Sequence, residues 1–384
     1  MARGRKRSSR KRHDSSPVPE LRSWPCGQEP RPTDVFIAVM GVTGSGKSTF
    51  ISKCCGPNAT ASIGHSMRSC TSDVAIYPFV LSDSCTVYLI DTPGFDDSHK
   101  SDTEVLNDLA AWLVAFRVAK ILLHGIIYLH RITDTRMQGS AKKNLLLFKK
   151  LCGQNALKNV VLATTMWNCD SSGKGPSREK ELIETSEYWG YMMEHGSMFF
   201  RVDSPDSEKH IVQHLANHNN PVTTDLQTQL FDERRRLNET SAGQELHTEV
   251  AKDKRRWERA VQETKTEMRE AKRQSDHESL RALKEELCRC KSEIKRSEER
   301  LCILDTNMKD LIALYNKQVA NVEEQQASHY DHPVRVELPS LEGQTQPTGQ
   351  LIEVEQPGTT PGPSNELVLY GTNGMSEILA QDLR

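Results

Sequence analysis

Aromatic residues make up only 6% of this 384-residue chain and apolar residues only 36%. That is too little for one uniform globule, so part of the chain is expected to be solvated helix or disordered segment. No apolar run approaches the ~20 residues that a membrane helix needs. The basic start lacks the apolar stretch of a secretory signal. The ten cysteines are scattered, without a repeated CxxC spacing or a His pair to complete a zinc site, which argues against a disulfide framework and for a reducing compartment. A soluble cytoplasmic protein is expected, with nuclear entry an alternative raised by the basic head. Net charge is only −2, but it is unevenly spread.

Seven of the first 12 residues are basic, from Arg3 to Arg12, and Pro-rich sequence comes next. Residues 1–33 are expected to be disordered, the basic run serving either as an import or nucleic-acid patch or as a solubilising tail. From 34 to 221 the pattern changes to short apolar runs alternating with helical stretches. The runs are Val35–Met40, Val74–Leu81, Thr86–Ile90, Gly125–Arg131, Asn159–Thr165 and Met198–Val202. The helical stretches are Thr49–Cys55, Thr103–Leu123, Ala141–Leu151, Arg178–Glu194 and Ser207–His218. Such alternation implies a doubly wound α/β domain with a mostly parallel sheet. Only Ser82–Cys85 separates the second run from the third, too short for a helical crossover, so this pair is predicted to be an antiparallel hairpin.

Residues 222–243 read as a linker. The stretch 244–328 is charged and almost without glycine or proline, and from Leu280 to Tyr315 apolar residues recur at three and four. An interrupted coiled coil and a helical hairpin both fit, with Gln274–Ser279 as the break. Residues 329–384 turn to Pro, Gly, Thr and Gln, a composition expected to be disordered.

Chemistry concentrates in residues 35–48. Gly41-Val42-Thr43-Gly44-Ser45-Gly46-Lys47-Ser48 matches GxxxxGK[ST] and lies between an apolar strand and a helix. Glycines let backbone N–H groups converge on phosphate oxygens, Lys47 supplies a positive charge to the β and γ phosphates, and the Ser48 hydroxyl ligates Mg2+. Thr49 belongs to the same helix start, whose dipole favours an anion. Asp91-Thr92-Pro93-Gly94 ends the third run, placing Asp91 beside the metal and the Gly94 N–H near the γ-phosphate. Thr71, in the polar segment 60–72, is the candidate to close on both metal and phosphate. The expected metal ligands are thus Ser48, Thr71 and Asp91.

Around those motifs, "VFIAVMGVTGSGKSTFI" and "LIDTPGFDD" resemble GTPases of the septin-like, immunity-associated and chloroplast-import-receptor branch. "GIIYLHRITDTRM", "LFKKLCG", "NVVLATTMW" and "SAGQEL" resemble the G-domain-containing proteins abundant in basidiomycete fungi. The resemblance spans roughly residues 34–250. It implies a doubly wound G domain, GTP or GDP with Mg2+ as ligand, and pairing of G domains across their nucleotide faces.

The chain departs from the pattern in two places. Where the resemblance calls for [NT]KxD, with its Asp on guanine, the sequence reads Thr164-Thr165-Met166-Trp167. Thr165 and Trp167 are therefore the expected base contacts, with Asp170 and Asp203 as alternative carboxylates. Where Ras-like enzymes carry a water-orienting glutamine stands Phe95, so unaided hydrolysis should be slow. Asp96, Asp97, His99, His65 and Arg68 are within sequence reach of the site, and Arg131, ending the fourth run, is a candidate for pairing or base contact. Three readings remain: a slow GTPase switch assisted by dimerisation, an assembly protein with fixed nucleotide, and, less favoured, an ATP-using enzyme. Self-association could use the G domain, the coiled coil or both.

Overall fold

A computed structural model of the chain describes residues 20–24, 28–56, 74–96, 100–135, 137, 139–218 and 220–330. Six strands form one sheet in the order β2-β3-β1-β4-β5-β6: β1 Val35–Gly41, β2 Ala75–Ser82, β3 Cys85–Asp91, β4 Gly125–Arg131, β5 Val160–Thr165 and β6 Met198–Arg201. All neighbours are parallel except β2 and β3, which form the expected hairpin. Pro78 fits because β2 is an edge strand.

The strands read as continuous apolar runs because both faces are covered. Along β1, Phe36, Ala38 and Met40 enter one core, while Val35, Ile37 and Val39 enter the other. The second core is closed by α1 (Lys47–Cys55) and α6 (Ser207–Asn217), through Phe50, Ile51, Ile211 and Leu215. The first and larger core takes α2 (Asp102–Val118) and α3 (Gly139–Cys152), with α4 (Gly175–Glu184) and α5 (Tyr191–Glu194) at its margin. The fourth predicted helix, Arg178–Glu194, is divided: α4 begins earlier, with a proline in its first turn, and the chain kinks at Tyr188 so that Trp189 is fully buried.

Residues 222–243, expected as a linker, are instead packed structure. They hold α7 (Asp225–Gln227) and place Leu226, Leu230 and Leu237 in the large core. Beyond them α8 (Ser241–Arg273) and α9 (His277–Leu304) form a hairpin about the predicted break, with Asp276 capping α9 through the Ser279 N–H. Of the two alternatives for the Leu280 repeat, the hairpin is the one found. Ser297, which interrupts the repeat, is buried and returns its hydroxyl to the Glu293 carbonyl.

The repeat does not continue as one helix. A turn at Asp305–Asn307, where Leu237 N–H donates to Thr306 O, redirects the chain into α10 (Met308–Tyr330). Leu311, Ile312, Tyr315 and Val319 then join the large core over α2. Part of the expected disordered head is likewise placed: Leu21 packs on that core, Tyr315 OH donates to Ser23 O, and Gln28 donates to Tyr88 OH. The basic run and residues 331–384 lie outside the described residues.

Candidate nucleotide site

The C-terminal end of β1 turns through Val42–Gly46 into α1. Gly44 and Gly46 adopt φ of +79° and +94°, a region closed to most side-chain-bearing residues. Gly46 is the residue before α1, and no side chain caps that helix start, which leaves its first-turn N–H groups directed at the loop's concavity. Lys47 is buried, with Nζ donating to the carbonyls of Gly41 (3.0 Å) and Val42 (3.1 Å). Ser45 is also buried, and Thr165 Oγ1 donates to its carbonyl at 2.9 Å, joining β5 to the loop.

Two of the three predicted metal ligands meet. Ser48 Oγ donates to Asp91 Oδ2 at 2.8 Å, although 43 residues separate them in sequence. A hydroxyl and a carboxylate side by side are the hard oxygen donors that suit Mg2+, which keeps water and phosphate oxygens for the rest of its shell. The donor set therefore fits this ion. Thr71 lies outside the described residues, as do His65, Arg68, Asp97 and His99.

Gly94 sits hard against the loop. A Cβ built there would lie 2.6 Å from both Thr43 N and Thr43 Oγ1 and 2.9 Å from Lys47 Nζ. The next residue, Phe95, accepts from Thr43 N–H at 3.2 Å through its carbonyl, while its ring enters the large core. At the position where Ras-like enzymes carry a glutamine, the side chain thus points into the core and away from the site. Asp96, with φ +65°, shares a cleft of about 310 Å³ with Thr43 and Arg131. Arg131 is held by Asp134 at 3.1 Å, and its Nη1 lies only 3.2 Å from where a Cβ on Gly44 would be. Its neighbour His130 is buried against Trp189, and that burial holds its pKa below the ordinary value.

Of the base-side candidates, Trp167 and Asp170 depart from expectation. Trp167 does not line the cleft beside the loop. Its Nε1 donates to Thr164 Oγ1 at 3.0 Å and Arg201 lies over its ring at 4.4 Å. Arg201 is itself bound to the buried Glu179. Asp170 is turned into its own loop, accepting from Gly175 N–H (2.6 Å) and Ser172 Oγ (2.7 Å) and pairing with Arg178 at 3.4 Å. The Ser172 and Gly175 hydrogen bonds hold its carboxyl below the usual range. Neither residue presents itself to a base. A cleft of about 630 Å³ does open between α1 and the loops after β5 and β6, lined by Gly46, Thr49, Thr165, Met166, Asn168 and Asp203 among others. Met166 and Asn168 were not singled out in the sequence. Met166 takes a left-handed φ of +63° just before Trp167, and no pattern of residue types announces that turn or the place of Asn168 in the cleft.

Residues 36–163 match the family described as 50S ribosome-binding GTPase. This part of the chain is a nucleotide-binding P-loop G domain, and the match does not reach the helices C-terminal to it. No curated protein matches the chain. Solved structures with a similar fold include Toc33 of Arabidopsis thaliana in complex with Mg2+ and GMPPNP, at 13% identity and TM-score 0.36, covering 49% of this chain and 87% of that one. Another is Era of Aquifex aeolicus bound to GDP.AlF4-, at 13% identity and TM-score 0.33, covering 48% of this chain and 56% of that one. A third, at 12% identity and TM-score 0.37, covers 50% of this chain and 86% of that one and was described under the statement that dimerization is important for the GTPase activity of atToc33 and psToc159.

Proposed function

We propose that the chain is a GTP-dependent switch with slow intrinsic hydrolysis that is accelerated when two G domains pair. The observation that carries the nucleotide part is the contact of Ser48 Oγ with Asp91 Oδ2 beneath a glycine loop whose lysine is buried. On binding, Lys47 would exchange the Gly41 and Val42 carbonyls for β- and γ-phosphate oxygens. Ser48 would ligate Mg2+ directly and Asp91 through water. The metal supplies charge neutralisation between the phosphates. Gly94, packed close against Thr43, would register whether a γ-phosphate is present.

The switch half of the proposal rests on the segment C-terminal to Gly94. Asp96 N–H donates to Asp102 Oδ1 at 3.1 Å, Lys143 Nζ pairs with Asp102 Oδ2 at 2.7 Å, and the same ammonium pairs with Glu249 of α8 at 2.7 Å. A change at the phosphate end is thereby connected to the helical hairpin. The segments "GIIYLHRITDTRM", "LFKKLCG", "NVVLATTMW" and "SAGQEL" support placing the chain beside the fungal G-domain-containing proteins. Pairing through the G domain, and a reducing cytoplasmic setting, belong to the same reading.

A second reading, an assembly protein with fixed nucleotide and negligible turnover, is favoured by the inward-facing Phe95 ring. Single-turnover GTP hydrolysis at increasing protein concentration separates the two. A rate constant that climbs with concentration is expected of the paired switch. A constant that stays flat and negligible across the range would leave only the assembly reading.

A further inference from the structure

The proposed function leaves open how the base is read when the usual aspartate is missing. Resting on that function, the geometry points to Asp203 and Asn168 as the side chains that read the base edge, with Asp203 conferring preference for guanine.

The cleft beside the phosphate loop is bounded by Gly46 and Thr49 on one side and by the loops after β5 and β6 on the other, so it continues directly from the triphosphate position. Two carboxylates line it, Asp203 and Glu208. Glu208 is already committed: its side chain is 3% exposed and receives Lys53 Nζ at 2.7 Å. Among the described residues the Asp203 carboxylate makes no hydrogen bond or ion pair, although it adds to the negative field around Arg201. The other acids near the expected position are used elsewhere, Asp170 at the start of α4 and Glu179 on Arg201.

Guanine presents two adjacent donors, N1–H and the exocyclic amine, which one carboxylate accepts together. Adenine presents a bare N1 acceptor there, and a carboxylate facing it is repelled. Asn168 carries an amide whose Nδ2 suits guanine O6, while its Oδ1 accepts only a weak S–H from Cys169 at 3.5 Å. Met166, left-handed at φ +63° and lining the same cleft, supplies an apolar platform for the ring. A backbone held in that sparsely populated region points to a loop shaped for its site.

The test is displacement of a fluorescent GDP analogue from the full-length chain by GTP, ATP and XTP, in wild type, Asp203→Asn and Asn168→Ala. Xanthine carries a carbonyl in place of the exocyclic amine, so an amide at 203 would accept from N1–H and donate to that carbonyl. Wild type is expected to prefer GTP over ATP and XTP. Asp203→Asn should weaken GTP by about 10- to 100-fold and strengthen XTP by a comparable factor, the worth of charge-assisted hydrogen bonds. Asn168→Ala should weaken GTP without a gain for XTP. If wild type prefers GTP while Asp203→Asn leaves that preference unchanged, this assignment is wrong and the proposed function stands. If wild type displaces the analogue equally with ATP, guanine reading itself is overturned. A wild type that binds no nucleotide overturns both.

Discussion

No side chain larger than hydrogen fits at position 94. A methyl there would press on Thr43 and on Lys47 Nζ, and the Thr43 backbone N–H cannot yield without opening the phosphate loop. Overpacking of this kind costs about 1–3 kcal/mol, so Gly94→Ala should weaken triphosphate binding by roughly tenfold or more, read by calorimetric titration. At the other end of the domain, His124 Nδ1 accepts from the Phe36 N–H at 3.2 Å. Accepting requires a ring nitrogen without its proton, and burial lowers the pKa from its ordinary 6.5. The folded chain then binds fewer protons than the unfolded chain once the pH drops below the unfolded value. The contribution is full above about 6.5 and is lost as the pH falls. His130, lowered by burial as well, acts in the same direction. The urea midpoint should fall between pH 7 and pH 5, and His124→Asn, which keeps an acceptor but no titrating group, should shallow that slope. The placing of single side chains was legible where a motif fixes it, as where Ser48 meets Asp91 beside Lys47. It was not legible at Trp167 and Asp170, because which way a loop side chain turns depends on partners such as Thr164 and Gly175 that no spacing rule connects.

At the scale of elements, α2 carries the clearest signal that the sequence reading passed over. Leu106, Leu109, Ala111, Trp112, Val114 and Ala115 put apolar groups on every side of the helix, and a helix apolar all round must be covered on both sides. The sheet covers one side and α10 the other, with Trp112 and Tyr315 meeting edge to face at 5.0 Å. The strands, by contrast, were placed almost to the residue, since a strand covered on both faces shows as a short continuous apolar run with clear ends. Between elements, α3 presents Lys143 to Glu249 and Lys150 to Glu245, at 2.7 Å and 2.5 Å, both on α8. These pairs are partly solvated, so Lys143→Ala should cost only about 1 kcal/mol of stability. Its larger effect should be on coupling. Hydrogen exchange in α8 is expected to respond to GTP against GDP in wild type and to lose that response in Lys143→Ala; an unchanged response would show that the path runs elsewhere.

For the molecule as a whole, the G domain and the helices after it share one core. Leu311, Ile312 and Tyr315 are fully buried beside residues of α2, and Tyr315 OH also holds the head segment through Ser23 O. Reading domains from composition divided what packing unites, because the charged surface of α8 and α9 hides the few apolar residues that dock α10. Tyr315→Ala should cost about 3–5 kcal/mol and lower the denaturation midpoint of the G domain signal and the helical signal together. Separate transitions would mean two independent units. The central claim, that the loop from Gly41 to Ser48 binds a magnesium–GTP complex, is tested most directly by calorimetric titration of the full-length chain with GTP. Wild type and Lys47→Ala should be compared in Mg2+ and in EDTA, with circular dichroism to confirm the fold. Saturable binding that needs Mg2+ for full affinity and is lost in a folded Lys47→Ala is the predicted result; equal binding by the two proteins would contradict it.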